Sequence, residues 1–117
     1  MTAGGAIESS DKFVERLYSL GRQKLVDIAV MDLDSLGFSR WRRVMPEVSQ
    51  AGLLASPHNW RWSLRAYCTA QLAFGVGNIP IIEAIPSKTR GLDTSAYGFK
   101  DGKLRRPKAP GFGLAMT

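Results

Sequence analysis

The chain has 117 residues, enough for one domain with a modest core, and its 44% hydrophobic and 22% charged residues exclude a disordered protein. Its single cysteine excludes an internal disulfide and fits a reducing compartment, so we expect a cytoplasmic protein. The N-terminal MTAGGAIESSDK lacks the basic and apolar regions of a signal peptide, and no apolar run reaches the ~18 residues of a membrane span. We therefore predict no membrane partner.

The net charge of +6 is concentrated in two basic runs, Arg40–Arg43 (RWRR) and Lys100–Lys108 (KDGKLRRPK). A small nucleic-acid binder is one interpretation, because basic runs neutralise phosphates. Neither run has the interleaved aromatic or glycine pattern of a nucleic-acid module, and only Trp41 accompanies the first. A solvated helix face and a solvated tail are therefore favoured, and we predict no nucleic-acid partner.

The first third of the chain predicts a helix followed by a buried strand. Ser9 or Ser10 can cap the helix, and Gly21 is a plausible stop, since glycine tolerates a left-handed cap. The continuous apolar run Leu25–Met31 is typical of a strand covered by helices on both sides, and it ends at Asp32.

A second helix and a second strand follow. The helix begins near Ser39 and stops at Gly52, and Pro46 predicts either a kink or a regular part that starts at the proline. A short strand, Leu53–Ala55, then leads through Ser-Pro to His58.

The rest of the chain predicts one more helix, one more strand and a tail. The stretch 62–74 has helical character, and Ile79–Ile82 reads as the last buried strand, ending at Glu83. After Pro86 the chain is rich in glycine and proline and is predicted to be loop-like.

Asp32, His58 and Glu83 thus end three apolar runs at nearly equal spacing, with one helix in each gap. Such a regular alternation of strands and helices is typical of parallel α/β folds, in which catalytic groups lie at the carboxyl ends of the strands. Asp32 on the neighbouring strand can accept a hydrogen bond from His58, which would fix the tautomer of an acid/base imidazole. Glu83, buried behind Ile79–Ile82, would stay protonated and donate to an oxyanion. The simpler alternatives are a turn residue for His58 and a turn former or helix cap for Asp32.

Four segments together resemble the C-terminal part of the barrel domain in the enolase superfamily, in the mandelate racemase/muconate lactonizing enzyme branch. VDIAVMDLDSLGFSRWRRVMPEVSQAG is similar to the sixth strand and helix, LLASPHNW to the seventh strand, NIPIIEAIP to the eighth and DGKLRRPKAPGFGL to the closing tail. The resemblance covers nearly the whole chain. It implies an α/β fold, the last three or so strand–helix units of a (β/α)8 TIM-type barrel, incomplete here, with these units in 1–86 and the tail in 87–117.

The resemblance also implies roles for the strand-end residues. Asp32 and His58 match the Asp–His dyad that exchanges a proton with the carbon next to a substrate carboxylate. Glu83 matches the acid that hydrogen-bonds that carboxylate. The His-Asn-Trp stretch looks most like acid-sugar dehydratases, in which Asn59 and Trp60 would line the pocket. The implied activity is that of a dehydratase (a lyase) or a racemase (an isomerase) acting on an acid sugar or another carboxylate.

Departures from the family pattern concern the metal. Family members use Mg²⁺, but Gly5 or Ala6 stands where the fifth-strand glutamate ligand falls, and Glu8 is past that site. The other metal ligands, the lysine base and the capping domain would precede Met1. We therefore expect that this chain alone binds no Mg²⁺ and is inactive in isolation. The alternative is a binding or self-assembling module that retains part of a sugar-acid pocket, for which a homo-oligomer is expected because three strands expose two sheet edges.

Overall fold

The computed structural model describes residues 2–4, 11–59, 64–83 and 88–117. Its centre is a parallel three-stranded sheet in the order β1 (Thr2–Gly4), β2 (Ile28–Asp32) and β3 (Leu54–His58). The helices are α1 (Asp11–Arg22), α2 (Leu33–Leu36), α3 (Phe38–Gln50) and α4 (Leu64–Val76). The predicted alternation of strands and helices is confirmed, and the fold is mixed α/β.

The core lies between one face of the sheet and the helices. Alternate strand residues Ala29, Met31 and Ala55 are buried against the helices, because successive side chains of a strand point to opposite faces. From α3 come Trp41, Met45 and Val48, whose spacing places them on one side of the helix and whose exposure is at most 1%. The residues between them on the strands, including Asp32 and His58, therefore belong to the other face.

The predicted strand Ile79–Ile82 is not a strand in the structure. The segment lies beside β3, where the Ala55 N–H donates to Asn78 O over 2.9 Å and the Ser56 hydroxyl to Ile81 O over 3.5 Å. Pro80 has no N–H to donate, so a regular ladder does not extend along this segment. Its neighbour Ile81 is 61% exposed.

Two helix ends were predicted from glycines, and one prediction is wrong. Gly52, with φ of 76°, ends α3, and the Leu53 N–H closes the turn on Val48 O over 3.1 Å. Gly21 instead lies inside α1, and the left-handed residue after this helix is Lys24, with φ of 56°. Gly21 has a packing role, because a Cβ there would lie 2.5 Å from Leu53 Cγ and 2.7 Å from the Ala51 carbonyl oxygen.

Helix α3 bears on two further predictions, the effect of Pro46 and the environment of the first basic run. Helix α3 runs without interruption from Phe38 to Gln50 with Pro46 inside it, so its regular part does not start at the proline. Trp41 in the first basic run is fully buried, while Arg42 and Arg43 are exposed. The exposed Arg42 and Arg43 fit a solvated helix face, and the aromatic residue between the arginines of this run faces the core. None of the described helices is long and apolar enough to cross a membrane.

The tail has more regular structure than the predicted loop. Strands β4 (Leu92–Asp93) and β7 (Ala115–Met116) pair antiparallel, as do β5 (Phe99–Lys100) and β6 (Lys103–Leu104). The β5–β6 hairpin turns through Asp101 and Gly102, whose φ angles of 51° and 72° indicate a type I′ turn. The Tyr97 ring packs on Tyr67 of α4 at a centroid distance of 4.7 Å and fastens the tail to that helix.

Two glycines in the tail have the same backbone conformation but different surroundings, so alanine variants at the two positions distinguish backbone strain from steric collision. Gly111 and Gly113 have φ of 62° and 65°, but only at Gly113 would a Cβ collide, 2.6 Å from Pro107 Cβ. Both alanine variants carry the left-handed penalty of roughly 1–2 kcal/mol. We expect Gly113→Ala to lose a further ~1–3 kcal/mol in urea unfolding, because the proline ring must move. Equal losses in the two variants would contradict this packing.

The Tyr18 phenol is expected to lose its proton at a higher pH than an ordinary tyrosine. Burial, then the hydrogen bond of its hydroxyl to Glu47 Oε2 (3.1 Å) and the charge of that carboxylate, raise the pKa of Tyr18 to about 12. The folded state therefore favours the neutral phenol, and this stabilisation is present below the ordinary pKa of 10.0 and is lost as the pH rises towards 12. We expect tyrosinate absorbance to show a step near pH 12 that Tyr18→Phe removes. A titration of all tyrosines that is complete near pH 10 would refute the contact.

Candidate active site at the carboxyl ends of the strands

The structure places the three predicted acid/base residues at the carboxyl ends of the strands, on one end of the sheet. Asp32 ends β2 and His58 ends β3, and the strand register makes them direct neighbours. Glu83 follows the segment that lies beside β3 and reaches the same end. Parallel strands align their carboxyl ends, which is why residues far apart in sequence meet here.

His58 and Glu83 are in direct contact. Their Nδ1 and Oε2 atoms are 2.6 Å apart, and the backbone N–H of Asn59 donates to the same Oε2 over 3.3 Å. The His58 side chain is 26% exposed and that of Glu83 is 51% exposed. The predicted burial of Glu83 is therefore wrong, because Ile79–Ile82 does not form the covered strand on which it depended.

The carboxylate of Asp32 has a structural partner of its own. Its Oδ1 accepts the backbone N–H groups of Asp34 (2.7 Å) and Ser35 (3.2 Å), so it caps the N-terminus of α2. Its carbonyl oxygen accepts the indole N–H of Trp41 over 3.4 Å. Among the described residues this carboxylate forms no hydrogen bond with His58, so the helix cap is the contact that the structure shows. The cap uses only Oδ1, and the pairing of Asp32 with His58 stays a prediction.

An ion pair that the sequence analysis missed borders the site. Arg65, at the start of α4, pairs with Asp34 of α2, and both side chains are about half exposed. No short sequence motif signals a contact between residues so far apart. The nearby Cys68 of α4 is not a candidate nucleophile. Burial, and then the charge of Asp34, raise the pKa of its thiol, so it is a poor nucleophile at neutral pH.

Of the two predicted pocket residues, the structure describes only Asn59. Asn59 is buried, with 8% exposure, and its backbone ties Glu83 to the end of β3. Trp60 lies outside the described residues, as do Gly5, Ala6 and Glu8, on which the predicted loss of the metal ligand depended. The pocket role of Trp60 and the departure at the fifth strand therefore stay predictions.

The described part of the chain does not fit a magnesium site. Within it, no group of three or more His, Cys, Asp or Glu side chains could hold a metal ion. We therefore assign none of these residues to Mg²⁺.

Solved structures with the same fold come from larger proteins. A galacturonate dehydratase from Geobacillus sp., complexed with D-galacturonate and 5-keto-4-deoxy-D-galacturonate, is 21% identical with a TM-score of 0.73, over 98% of this chain and 30% of that one. A mandelate racemase/muconate lactonizing protein from Geobacillus sp. Y412MC10, complexed with magnesium and tartrate, is 21% identical with a TM-score of 0.74, over 99% and 29%. An enolase from Gibberella zeae PH-1, complexed with magnesium, formate and sulfate, is 21% identical with a TM-score of 0.68, over 95% and 26%.

This chain spans less than a third of the length of each of these proteins. A search of curated proteins gives no match. The family model described as enolase C-terminal domain-like matches residues 8–117, nearly the whole sequence. The chain therefore belongs to the enolase C-terminal domain-like family, as its four sequence segments indicated.

Proposed function

We propose that this chain is the C-terminal part of a Mg²⁺-dependent enolase-type enzyme that moves a proton at the carbon next to a substrate carboxylate. The contact of His58 with Glu83 at the carboxyl end of the sheet carries the proposal. Family membership supports it. The substrate class we propose is an acid sugar, since a neighbour in fold is a dehydratase complexed with D-galacturonate.

His58 is the residue that we assign to proton transfer. A neutral imidazole accepts the proton from the carbon next to the carboxylate, and the C–H electron pair stays with the substrate. In a dehydration the imidazolium returns that proton to the departing hydroxyl, which leaves as water. Asp32 is the neighbour of His58 in the strand register, and Glu83 contacts the Nδ1 of the ring. The resemblance assigns Glu83 to the substrate carboxylate, and its half-exposed side chain is accessible to such a ligand.

The test compares His58→Ala with Ser56→Ala, which lies two residues earlier on the same strand. The complete product of the coding frame is incubated with D-galacturonate and Mg²⁺ in D₂O, and dehydration and deuterium incorporation are followed by NMR. We expect His58→Ala to lower both by ~10²–10⁴-fold, the usual contribution of a general acid–base. Ser56→Ala should retain activity. Unchanged exchange and dehydration in His58→Ala would refute the assignment.

For the 117-residue chain alone we propose no turnover of acid sugars in the presence of Mg²⁺. Its described residues provide no metal-binding cluster to stabilise an enediolate. Dehydration by this chain at a rate that His58→Ala abolishes would show that the fragment is itself an enzyme.

A second candidate function is self-assembly through the sheet. Leu54 in β3 is 42% exposed and Ile81 beside it is 61% exposed, which is unusual for apolar residues at the centre of an α/β fold. Light scattering coupled to size-exclusion chromatography decides this candidate. A single defined oligomer supports it, and a monomer or a polydisperse aggregate counts against it.

A further inference from the structure

We infer that Arg65 is a positioning residue for the Asp32 carboxylate, which it holds through Asp34 and the first turn of α2. The inference rests on the proposed function, because it concerns how the site presents Asp32 to the imidazole of His58. Arg65 lies on α4, the helix that follows the strand of His58, and Asp34 lies on α2, the short helix that follows the strand of Asp32. The ion pair therefore joins the two segments that leave the site.

Asp34 connects the ion pair to Asp32 through its own backbone. Its side chain pairs with Arg65, and its backbone N–H donates to Asp32 Oδ1 over 2.7 Å. The backbone N–H of Ser35 donates to the same oxygen over 3.2 Å. The residue that the guanidinium holds thus supplies the shorter of the two hydrogen bonds that orient the carboxylate.

The cap uses one oxygen of Asp32 and leaves the other for the ring. Both N–H donors of α2 bind Oδ1, so Oδ2 can face His58, the direct neighbour of Asp32 in the strand register. The main chain of Asp32 is held separately, because its carbonyl oxygen accepts the indole N–H of the fully buried Trp41 over 3.4 Å. With the main chain held, the rotation of the carboxylate depends on where α2 places its donors.

Helix α2 needs contacts outside itself to keep that place. It has only four residues, and helices of this length are not stable by themselves. Leu33 and Leu36 are buried, whereas the side chain of Asp34 is about half exposed and is tied to α4 by Arg65. An ion pair as exposed as this one contributes little to global stability. Its loss should therefore release the first turn of α2 without unfolding the chain.

The chain allows a direct test because His58 is its only histidine. Long-range ¹H–¹⁵N NMR at a pH where the ring is neutral gives the ¹⁵N chemical shifts of its two nitrogens, which respond to nearby charge and hydrogen bonding. The change that Asp32→Asn causes in these shifts is measured in the wild type and again in Arg65→Met. Asparagine keeps a capping oxygen and removes the charge. The direct effect of residue 65 on the ring cancels, since it is the same in both members of each pair.

We expect Asp32→Asn to change the ring shifts in the wild type and this change to fall by at least half in Arg65→Met. Arg65→Lys keeps the cation and should restore most of it. Asp34→Asn keeps the backbone donor but removes the partner of Arg65, so it should behave like Arg65→Met. Arg42→Met, which removes an exposed arginine of α3, is the matched control and should leave the change at its wild-type size.

A change of equal size in the wild type and in Arg65→Met would overturn the inference, as would a wild-type ring that does not respond to Asp32→Asn. An ion pair that only stabilised the fold would lower the urea midpoint in Arg65→Met and leave the response to Asp32→Asn intact. Far-UV circular dichroism checks the fold of each variant, and if Arg65→Met does not fold, Asp34→Asn decides the question. The readout needs no turnover, so a proposed function that fails in the activity assay leaves this result standing.

Discussion

Trp41→Ala is expected to lower the free energy of unfolding by about 3–5 kcal/mol, the usual cost of removing a large aromatic side chain from a core. Trp41 is fully buried between α3 and the sheet, with Met45 and Val48 on the same side of the helix. Its indole N–H also donates to the carbonyl oxygen of Asp32. A domain of this size has ~5–15 kcal/mol of stability, so the variant should be largely unfolded well below the urea midpoint of the wild type.

Two controls separate the contributions at Trp41. Arg42→Ala, at the next and exposed position of the same helix, should change stability by no more than ~0.5 kcal/mol. Trp41→Phe keeps much of the bulk and loses the indole N–H, so we expect an intermediate loss. A Trp41→Ala variant with a wild-type urea midpoint would contradict the position of this residue in the core.

Alanine substitution of two helical glycines is expected to have opposite effects. Alanine is favoured over glycine inside a helix by roughly 0.5–1 kcal/mol. At Gly75 in α4 a new Cβ meets nothing within 4 Å, so Gly75→Ala should raise stability by up to that amount. At Gly21 in α1 the Cβ would lie 2.7 Å from the Ala51 carbonyl oxygen and 2.5 Å from Leu53 Cγ, so Gly21→Ala should destabilise by ~1–3 kcal/mol.

Urea unfolding of the two variants beside the wild type measures both signs. Helix propensity is the same in each substitution, so the difference reports only how closely α1 approaches the turn that follows α3. A stabilising Gly21→Ala would mean that α1 does not pack there.

Local patterns predicted β2, β3 and the helices that follow them, because an apolar run and the helical spacing of apolar residues are local signals. Among the described residues only alternate positions of β2 are buried, so the predicted cover of this strand on both sides is wrong, as is the predicted strand Ile79–Ile82. The alignment of Asp32 with His58 was also predictable, because neighbouring parallel strands of similar length place their carboxyl ends together. Gly52 was recognisable as a helix stop because its effect is local. The turn at Asp101–Gly102 also has a local signal, although the tail around it was predicted as loop.

Properties that depend on distant contacts were not predictable in the same way. Gly21 looks like a helix stop in sequence, and only its approach to Ala51 and Leu53 reveals the packing role. The exposure of Glu83 depends on whether the preceding segment joins the sheet, which Pro80 disfavours. The hydrogen bonds of Asp32 Oδ1 to the α2 N-terminus likewise depend on the geometry of the turn after β2.

The coding sequence immediately upstream of the Met1 codon tests most directly whether this chain is part of a larger enolase-type enzyme. We predict an open frame that continues through a strand with a Lys-x-Lys motif and strand-end carboxylates, the lysine base and metal ligands that the family resemblance implies. His58, Asp32 and Glu83 would then complete that active site. An in-frame stop codon just upstream would contradict the enzyme proposal, and the short chain would have to be studied as a self-assembling or ligand-binding module.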